Sequence, residues 1–104
     1  MTKPTKIRAK LKDGEIDFRM LMHHEMETGL RKDTKTGNIV PAWYIKEFKI
    51  FQNGQKILSG NFGPTISKNP YIRCKIQGKA GDEFVVKWTD NLNNSRTDKS
   101  TVVA

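Results

Sequence analysis

Short apolar alternations separated by turn dipeptides constrain the fold of this chain more than any other feature. In residues 5–11 and again in 15–22, apolar and polar residues alternate one by one, as in strands with one buried face. Asp13-Gly14 separates these two runs, and Asn53-Gly54 follows a later apolar run; both dipeptides favour the tight turns of β-hairpins. The chain is therefore predicted to begin with a β-hairpin, and no helical period of useful length follows.

The remaining runs extend this pattern to about seven strands. The predicted strands cover residues 5–11, 15–22, 41–51, 55–62 and 71–77, a run through Phe84, Val86 and Trp88, and residues 96–103. The run 41–51 is apolar on both faces, which predicts a central strand or a strand with a β-bulge. Such a series is typical of an all-β, immunoglobulin-like sandwich, here as one domain over residues 1–104. Trp43 and Trp88 are both candidates for its core aromatic.

Composition excludes several classes of protein. The chain has 104 residues, a single cysteine and a formal net charge of +8. Cys74 allows no internal disulfide, and its alternation with Ile72 and Ile76 predicts that it points into the core. No apolar run is long enough to span a membrane, and no apolar leader follows Met1. The positive charge favours anionic partners, but its spread along the chain is typical of a solvated basic surface.

The loop after the second predicted strand carries both histidines and suggests one chemical site. His23 and His24 lie next to Met26, and Met20 and Met22 precede them. Because thioether and imidazole groups suit copper, a copper-binding sandwich that uses His23, His24 and Met26 is one hypothesis. Strand alternation opposes it, since Met20 and Met22 share a face with other apolar residues and are expected in the core.

Catalysis and nucleic-acid binding have weaker support. The sequence has no Ser-His-Asp arrangement of a known hydrolase and no glycine-rich phosphate loop, so the chain is not predicted to be an enzyme. Basic residues alternate with an aromatic residue at Tyr71, Arg73 and Lys75, a pattern that also occurs in single-stranded nucleic-acid binders. Because any half-exposed strand of a basic protein has this pattern, nucleic-acid binding is retained only as an alternative.

Several short motifs follow one another along nearly the whole chain. They are Met26-Glu27-Thr28-Gly29-Leu30-Arg31-Lys32-Asp33, Gly37-Asn38-Ile39-Val40-Pro41-Ala42, Asn53-Gly54, Phe62-Gly63-Pro64-Thr65-Ile66-Ser67-Lys68-Asn69-Pro70, Trp88-Thr89-Asp90-Asn91 and Arg96-Thr97-Asp98. Together they resemble the SoxZ family, the Z subunits of the sulfur carrier complex SoxYZ. Where that family usually has proline before the methionine, this chain has Glu25, which frees φ and restores a backbone donor.

The resemblance implies a β-sandwich that is not an enzyme and has no cofactor. In the family, the Y subunit carries sulfur intermediates on a cysteine in a glycine-rich C-terminal arm, and the Z subunit helps present that arm to periplasmic Sox enzymes. This chain ends in Ser100-Thr101-Val102-Val103-Ala104 without such an arm, which favours Z over Y. We therefore expect a heterodimer with a SoxY-like subunit and, without a signal peptide, a periplasmic location reached by co-export. Neither nucleic acid nor a membrane is an expected partner, whereas the isolated chain is expected to be capable of pairing its edge strands as a homodimer.

The surface for the partner is expected at the loop and the adjoining strand faces. Protein interfaces combine a few apolar anchors with a polar rim, and an arginine can bind a carboxylate with two hydrogen bonds. The predicted partner-binding residues are Met22, His24, Met26, Glu27, Leu30, Arg31, Asp33 and Trp43. In the alternative interpretation, Glu27, Arg31 and Asp33 only tie the loop to its own domain.

Overall fold

Seven antiparallel strands form two sheets that pack face to face. The computed structural model describes residues 3–63 and 66–103. The strands are β1 (Lys6–Lys12), β2 (Glu15–Leu21), β3 (Ile45–Gln52), β4 (Gln55–Asn61), β5 (Tyr71–Gln77), β6 (Glu83–Asp90) and β7 (Ser95–Thr101). One sheet has the order β1-β2-β5 and the other has the order β4-β3-β6-β7. This arrangement confirms the predicted immunoglobulin-like sandwich, with the fourth strand placed beside the third.

The core lies between the sheets and follows the predicted alternation. Alternate residues of β2 and β6 point inward and are buried: Ile16, Phe18 and Met20 from β2, and Phe84, Val86 and Trp88 from β6. The rings of Phe18 and Phe84 meet across the sheets with centroids 4.9 Å apart. Of the two candidate tryptophans, Trp88 is the one in the core, at 2% exposure. Cys74 packs against the core from β5, and burial raises the pKa of its thiol.

The central strand β3 begins later than predicted. Regular pairing starts at Ile45, so residues 41–44 belong to the connection that precedes the strand. The predicted bulge is present, because the pairing of β3 with β6 shifts register between Ile45 and Glu47. This shift places Ile45 in the core together with Phe48 and Ile50, although the spacing in the sequence is odd. The other strand ends agree with prediction to within two residues, which is the usual uncertainty of such boundaries.

The predicted domain limits of 1–104 stay a prediction. Met1, Thr2, Pro64, Thr65 and Ala104, two of which stand in a family-like motif, lie outside the described residues. Within the described ranges, no helix is long and apolar enough to cross a membrane.

Three connections meet at one end of the sandwich. The strand register places the end of β2, the start of β3 and the end of β6 at this end, so that the connections 22–44, 62–70 and 91–94 emerge side by side. Strands of seven or eight residues span about 24–27 Å, whereas the long axis of the molecule is 53 Å. The connections, of which 22–44 is the longest, therefore contribute a large part of its length.

The close packing of β4 on β3 can be tested at Gly60. A methyl group added there would lie 2.6 Å from Cε1 of Phe48. The Phe48 ring cannot easily move, because it packs against Phe62 with centroids 5.1 Å apart. We expect Gly60→Ala to lower the free energy of unfolding by about 1–3 kcal/mol in urea denaturation.

A matched control for this substitution is Gly63→Ala. No atom lies within 4 Å of a methyl group added at Gly63, so its free energy of unfolding should change by less than about 1 kcal/mol. Equal stability of the two variants would contradict the packing of Phe48 described above.

Candidate functional site: a hairpin braced by a buried carboxylate

The connection between β2 and β3, which we call the 22–44 hairpin, is an ordered ribbon. Glu27 and Trp43 exchange backbone hydrogen bonds in both directions, and the Asp33 N–H donates to the Asn38 carbonyl at 2.8 Å. A turn between these last two residues forms the tip. The predicted loop and the first residues of the predicted third strand are therefore the two limbs of one irregular hairpin.

A buried carboxylate, that of Asp90, holds the base of this hairpin. Asp90 is the last residue of β6 and is fully buried. Its Oδ2 accepts hydrogen bonds from Trp43 Nε1 at 2.8 Å and from His24 Nε2 at 3.1 Å, which come from opposite limbs. Its Oδ1 accepts from the backbone N–H groups of Leu92 and Asn94 at 3.0 and 2.8 Å. One carboxylate thus joins both limbs to the β6–β7 turn.

The ionised form of Asp90 is favoured in the folded chain. Burial alone would raise the pKa of this carboxyl, but the hydrogen bonds from Trp43, His24 and Asn94 together outweigh burial and hold the pKa below its ordinary value. A buried charge is tolerated only where hydrogen bonds or ions compensate it. Here the donors are two side chains of the hairpin and the amides of the turn, so the charge and the hairpin stabilise each other.

His24 and Met26 are committed to this internal network. The Met26 N–H donates to His24 Nδ1 at 3.0 Å, so Nε2 carries the proton that faces Asp90. Met26 adopts a φ of 53°, a left-handed conformation that is uncommon for a residue other than glycine. Its sulfur accepts a hydrogen bond from the Ile45 N–H at 3.2 Å. Both ring nitrogens and the thioether are therefore occupied within the domain.

This geometry argues against the copper hypothesis. His24 and Met26 have no free ligand atom, and Met20 and Met22 are in the core at 1% and 0% exposure. His23 is left as a partly exposed histidine without these proposed co-ligands. Across residues 3–63 and 66–103, no group of three or more His, Cys, Asp or Glu side chains is arranged to hold a metal ion.

Asparagines from the neighbouring connections fix the two limbs independently. Asn69 Oδ1 accepts from the His24 N–H at 3.0 Å, and the Asn69 N–H donates to the His24 carbonyl at 2.9 Å. On the other limb, Asn91 Oδ1 accepts from the Tyr44 N–H at 2.8 Å, and Asn91 Nδ2 donates to the Ala42 carbonyl at 2.9 Å. The two asparagines thus satisfy backbone groups of the irregular limbs, three of them through their side chains.

The outer part of the hairpin combines an ion pair with exposed apolar side chains. Arg31 donates from Nε and Nη2 to the Glu27 carboxylate at 2.9–3.1 Å, and this hydrogen bonding lowers the pKa of Glu27. Leu30 is 85% exposed and Ile39 is 63% exposed. Ile39 pairs across the hairpin with Lys32, two residues from Leu30. Two strongly exposed large apolar side chains on the outer part of one hairpin, with polar neighbours, make this part a candidate interaction site.

The predicted partner-binding residues fall into two groups in the structure. Met22, His24 and Met26 are buried, so they support the hairpin from inside and are removed from its accessible surface. The accessible members are the exposed Leu30 and Arg31 and the partly exposed Glu27, Asp33 and Trp43. Partner binding by any of them stays a prediction. The ion pair of Glu27 with Arg31 also fits the alternative in which these residues brace the loop.

Sequence reasoning missed two residues of this site. Asp90 has no assigned role in the sequence beyond its place in one of the family-like motifs. Ile39 lies within another such motif, and an apolar residue in a polar, turn-rich loop was the available signal. No local pattern in the sequence distinguishes Asp90, the buried acceptor of several hydrogen bonds that we call the hub, from an ordinary turn residue. The same holds for Ile39 as an exposed apolar residue of the loop.

Comparison with protein families assigns the chain as a whole. A family model described as "Sulphur oxidation protein SoxZ" matches residues 5–101. The chain belongs to the SoxZ family. This confirms the resemblance and gives the chain a role in sulfur oxidation, and the matched range contains the 22–44 hairpin and Asp90. A search of curated proteins finds no significant match.

The role of Asp90 can be tested by removing its charge. Asp90→Asn keeps the shape but turns one acceptor into a donor that faces other donors. We expect the free energy of unfolding to fall by about 2–4 kcal/mol in urea denaturation. Amide hydrogen exchange should rise more in the 22–44 hairpin than in β2. The control is Asp13→Asn, at an exposed turn position with a φ of 53° that asparagine tolerates. Equal effects of both substitutions would contradict the proposed hub.

Acid should destabilise the chain through the same groups. The pKa of Asp82 is lowered by hydrogen bonds led by Asn53, and that of Asp98 is lowered because Arg96 and a backbone N–H outweigh burial. In the folded chain the pKa values of both carboxyls, like that of Asp90, are below 3.8, the ordinary value for aspartate. Their stabilisation is complete above that value and is lost as pH falls through the folded pKa values. Urea denaturation should therefore show a decline that steepens below about pH 4 and is shallower in Asp90→Asn. Identical pH profiles would exclude Asp90 as a major contributor.

Proposed function

We propose that this chain is a non-catalytic subunit of a periplasmic sulfur carrier complex and binds a SoxY-like subunit. Membership of the SoxZ family supports a role in sulfur oxidation. In this proposal the partner carries the covalent sulfur intermediates on a C-terminal cysteine arm. The present chain binds that subunit and helps present its arm to the Sox enzymes.

The environment of Cys74 favours an accessory role of this chain over a role as the sulfur carrier. Cys74 lies in the middle of β5, packs against the core, and has a pKa raised by burial. A sulfur carrier needs an accessible thiolate that can reach several enzymes, and a raised pKa disfavours the thiolate. This cysteine therefore suits packing, and the carrier thiol is assigned to the partner.

The His–Asp pair supports the absence of catalysis. His24 and Asp90 have the contact found in catalytic dyads, but their side chains are 2% and 0% exposed. The second ring nitrogen of His24 accepts the Met26 N–H. A general base must be within hydrogen-bonding reach of a substrate, and this histidine has no nitrogen to offer. The pair is therefore assigned a structural role.

The observation that carries the partner proposal is the exposed Leu30 and Ile39 on a braced hairpin. Asp90 fixes the base of the hairpin that carries these two side chains. Little conformational entropy is therefore lost when a partner covers them. Arg31, whose side chain is 59% exposed although it is tied to Glu27, adds a charged group at the rim. Apolar anchors with a polar rim are the usual composition of a protein interface.

Calorimetric titration with the purified Y subunit tests this proposal. The double substitution Leu30→Ser/Ile39→Ser should weaken binding by about 10–100-fold, because both apolar anchors are lost. The control is Val103→Ser, a residue that is 58% exposed and follows β7 at the opposite end of the sandwich. This control should bind within about twofold of the unchanged chain.

Two results would contradict the proposal in different ways. Unchanged affinity of a folded Leu30→Ser/Ile39→Ser chain would remove the hairpin from the interface. Failure of the unchanged chain to bind the Y subunit would remove the subunit assignment itself.

A further inference from the structure

The outer face of the three-stranded sheet carries an array of cations that the hairpin does not use. Its outward-facing residues align in four rows across β1, β2 and β5, and we call this array the basic face. The rows are Lys6-Leu21-Tyr71, Arg8-Arg19-Arg73, Lys10-Asp17-Lys75 and Lys12-Glu15-Gln77. It therefore holds seven Lys or Arg residues and two carboxylates.

The row of three arginines is the most unusual part of this face. Arg8 stands opposite Arg19, and Arg19 stands opposite Arg73. Like charges directly opposite each other destabilise a sheet. Asp17 offsets part of this repulsion by pairing with Arg19 at 2.9 Å and with Arg73 at 3.2 Å. Among the ion pairs of the described residues, none includes Arg8 or Lys75.

Protection of sheet edges does not account for this row. Charged residues on β1 and β5 discourage edge-to-edge pairing of sheets. Arg19, however, lies on β2, the central strand of its sheet, where no edge needs protection. Edge protection therefore does not explain Arg19, whose side chain pairs with Asp17 and is still 39% exposed.

The other sheet has fewer cations on its outer face, although Lys49 stands directly opposite Lys87 there. There Lys49 pairs with Glu47 at 3.4 Å, and Lys87 lies 5.2 Å from the centroid of the Phe51 ring. Strand pairing thus gathers seven of the 19 Lys and Arg residues onto one face, although they come from three separate parts of the sequence.

An apolar spot lies beside the arginine row. Tyr71, which is 55% exposed, stands next to Leu21 in the first row. Together with Lys6, Arg8 and Arg19 they line an open depression of about 470 Å³. Tyrosine and arginine, like tryptophan, are enriched among the residues that dominate the binding energy of protein interfaces.

We propose that the basic face docks an acidic surface of a protein partner, which inserts an apolar side chain beside Tyr71. The planar fork of arginine matches a carboxylate with two hydrogen bonds. The rows lie about 7 Å apart and the strands about 5 Å apart, so the cations form a two-dimensional array that suits a folded surface.

A nucleic acid fits this face less well. Single-stranded nucleic acids follow a groove and stack successive bases on several aromatic side chains. Tyr71 is the only aromatic residue in the four rows. The row of Lys6, Leu21 and Tyr71 lies at the end of the sandwich from which the 22–44 hairpin emerges, and the other three rows extend away from that end along the side of the sandwich.

Fluorescence anisotropy with a labelled glutamate-rich peptide that contains one phenylalanine tests the proposal. The double substitution Arg8→Glu/Lys75→Glu should weaken binding of this peptide at least about tenfold at low salt. The matched control is Lys56→Glu/Lys99→Glu on the other sheet, which lowers the formal net charge of +8 by the same amount. The control should change the affinity less than about twofold. All four positions are exposed, and thermal unfolding checks that each variant is folded.

Each outcome decides for or against the basic face. Equal weakening by both pairs would show that binding follows net charge alone, and absence of binding by the unchanged chain would overturn the proposal as well. Tighter binding of a single-stranded oligonucleotide of equal charge, lost in the same variant, would assign the face to nucleic acid instead. Arg8→Ser/Lys75→Ser should show a smaller loss in the same direction, which keeps the test valid if charge reversal disturbs folding. The titration needs no second subunit, so its result is independent of the proposed function.

Discussion

The hydrogen-bonded carboxylate of Asp90 is the interaction on which the irregular end of the molecule, with its three connections, depends. A sandwich positions its strands by apolar packing, but three irregular connections at one end have polar backbone groups that strands do not satisfy. Asp90 accepts hydrogen bonds from His24, Trp43 and Asn94, which belong to two limbs of one connection and to the turn of another. Because all of these donors converge on one buried charge, the limbs cannot shift independently.

This constraint explains how an irregular segment can present a defined surface. The base of the 22–44 hairpin is buried, whereas Leu30 and Ile39 lie far out on it and are exposed. The basic face is formed differently, because regular strand pairing alone determines its rows. The chain therefore carries two candidate surfaces with different chemistry, one apolar and one cationic.

The sequence predicted the strands well because alternation is a local property. It placed the start of β3 too early, because the backbone groups of Ala42 and Tyr44 bind the side chain of Asn91, far along the chain, and are not paired in the sheet. The hub was missed for the same reason: Asp90 is 66 residues from His24. The basic face was also not foreseen, since the cations are evenly spread in the sequence and only the pairing of β2 with both β1 and β5 aligns Arg8, Arg19 and Arg73.

Glu25, which stands where the family usually has proline, makes few contacts in the structure. Its carboxylate pairs with Lys68 at 3.1 Å, and both side chains are more than half exposed, so the pair contributes little stability. Its N–H takes part in none of the hydrogen bonds found among the described residues, so a proline there would remove no bond. The neighbours His24 and Met26, in contrast, are fixed by three hydrogen bonds that do not involve residue 25. The geometry of the hairpin base therefore depends on these neighbours and on Asp90, and it can be shared with relatives that have proline at this position.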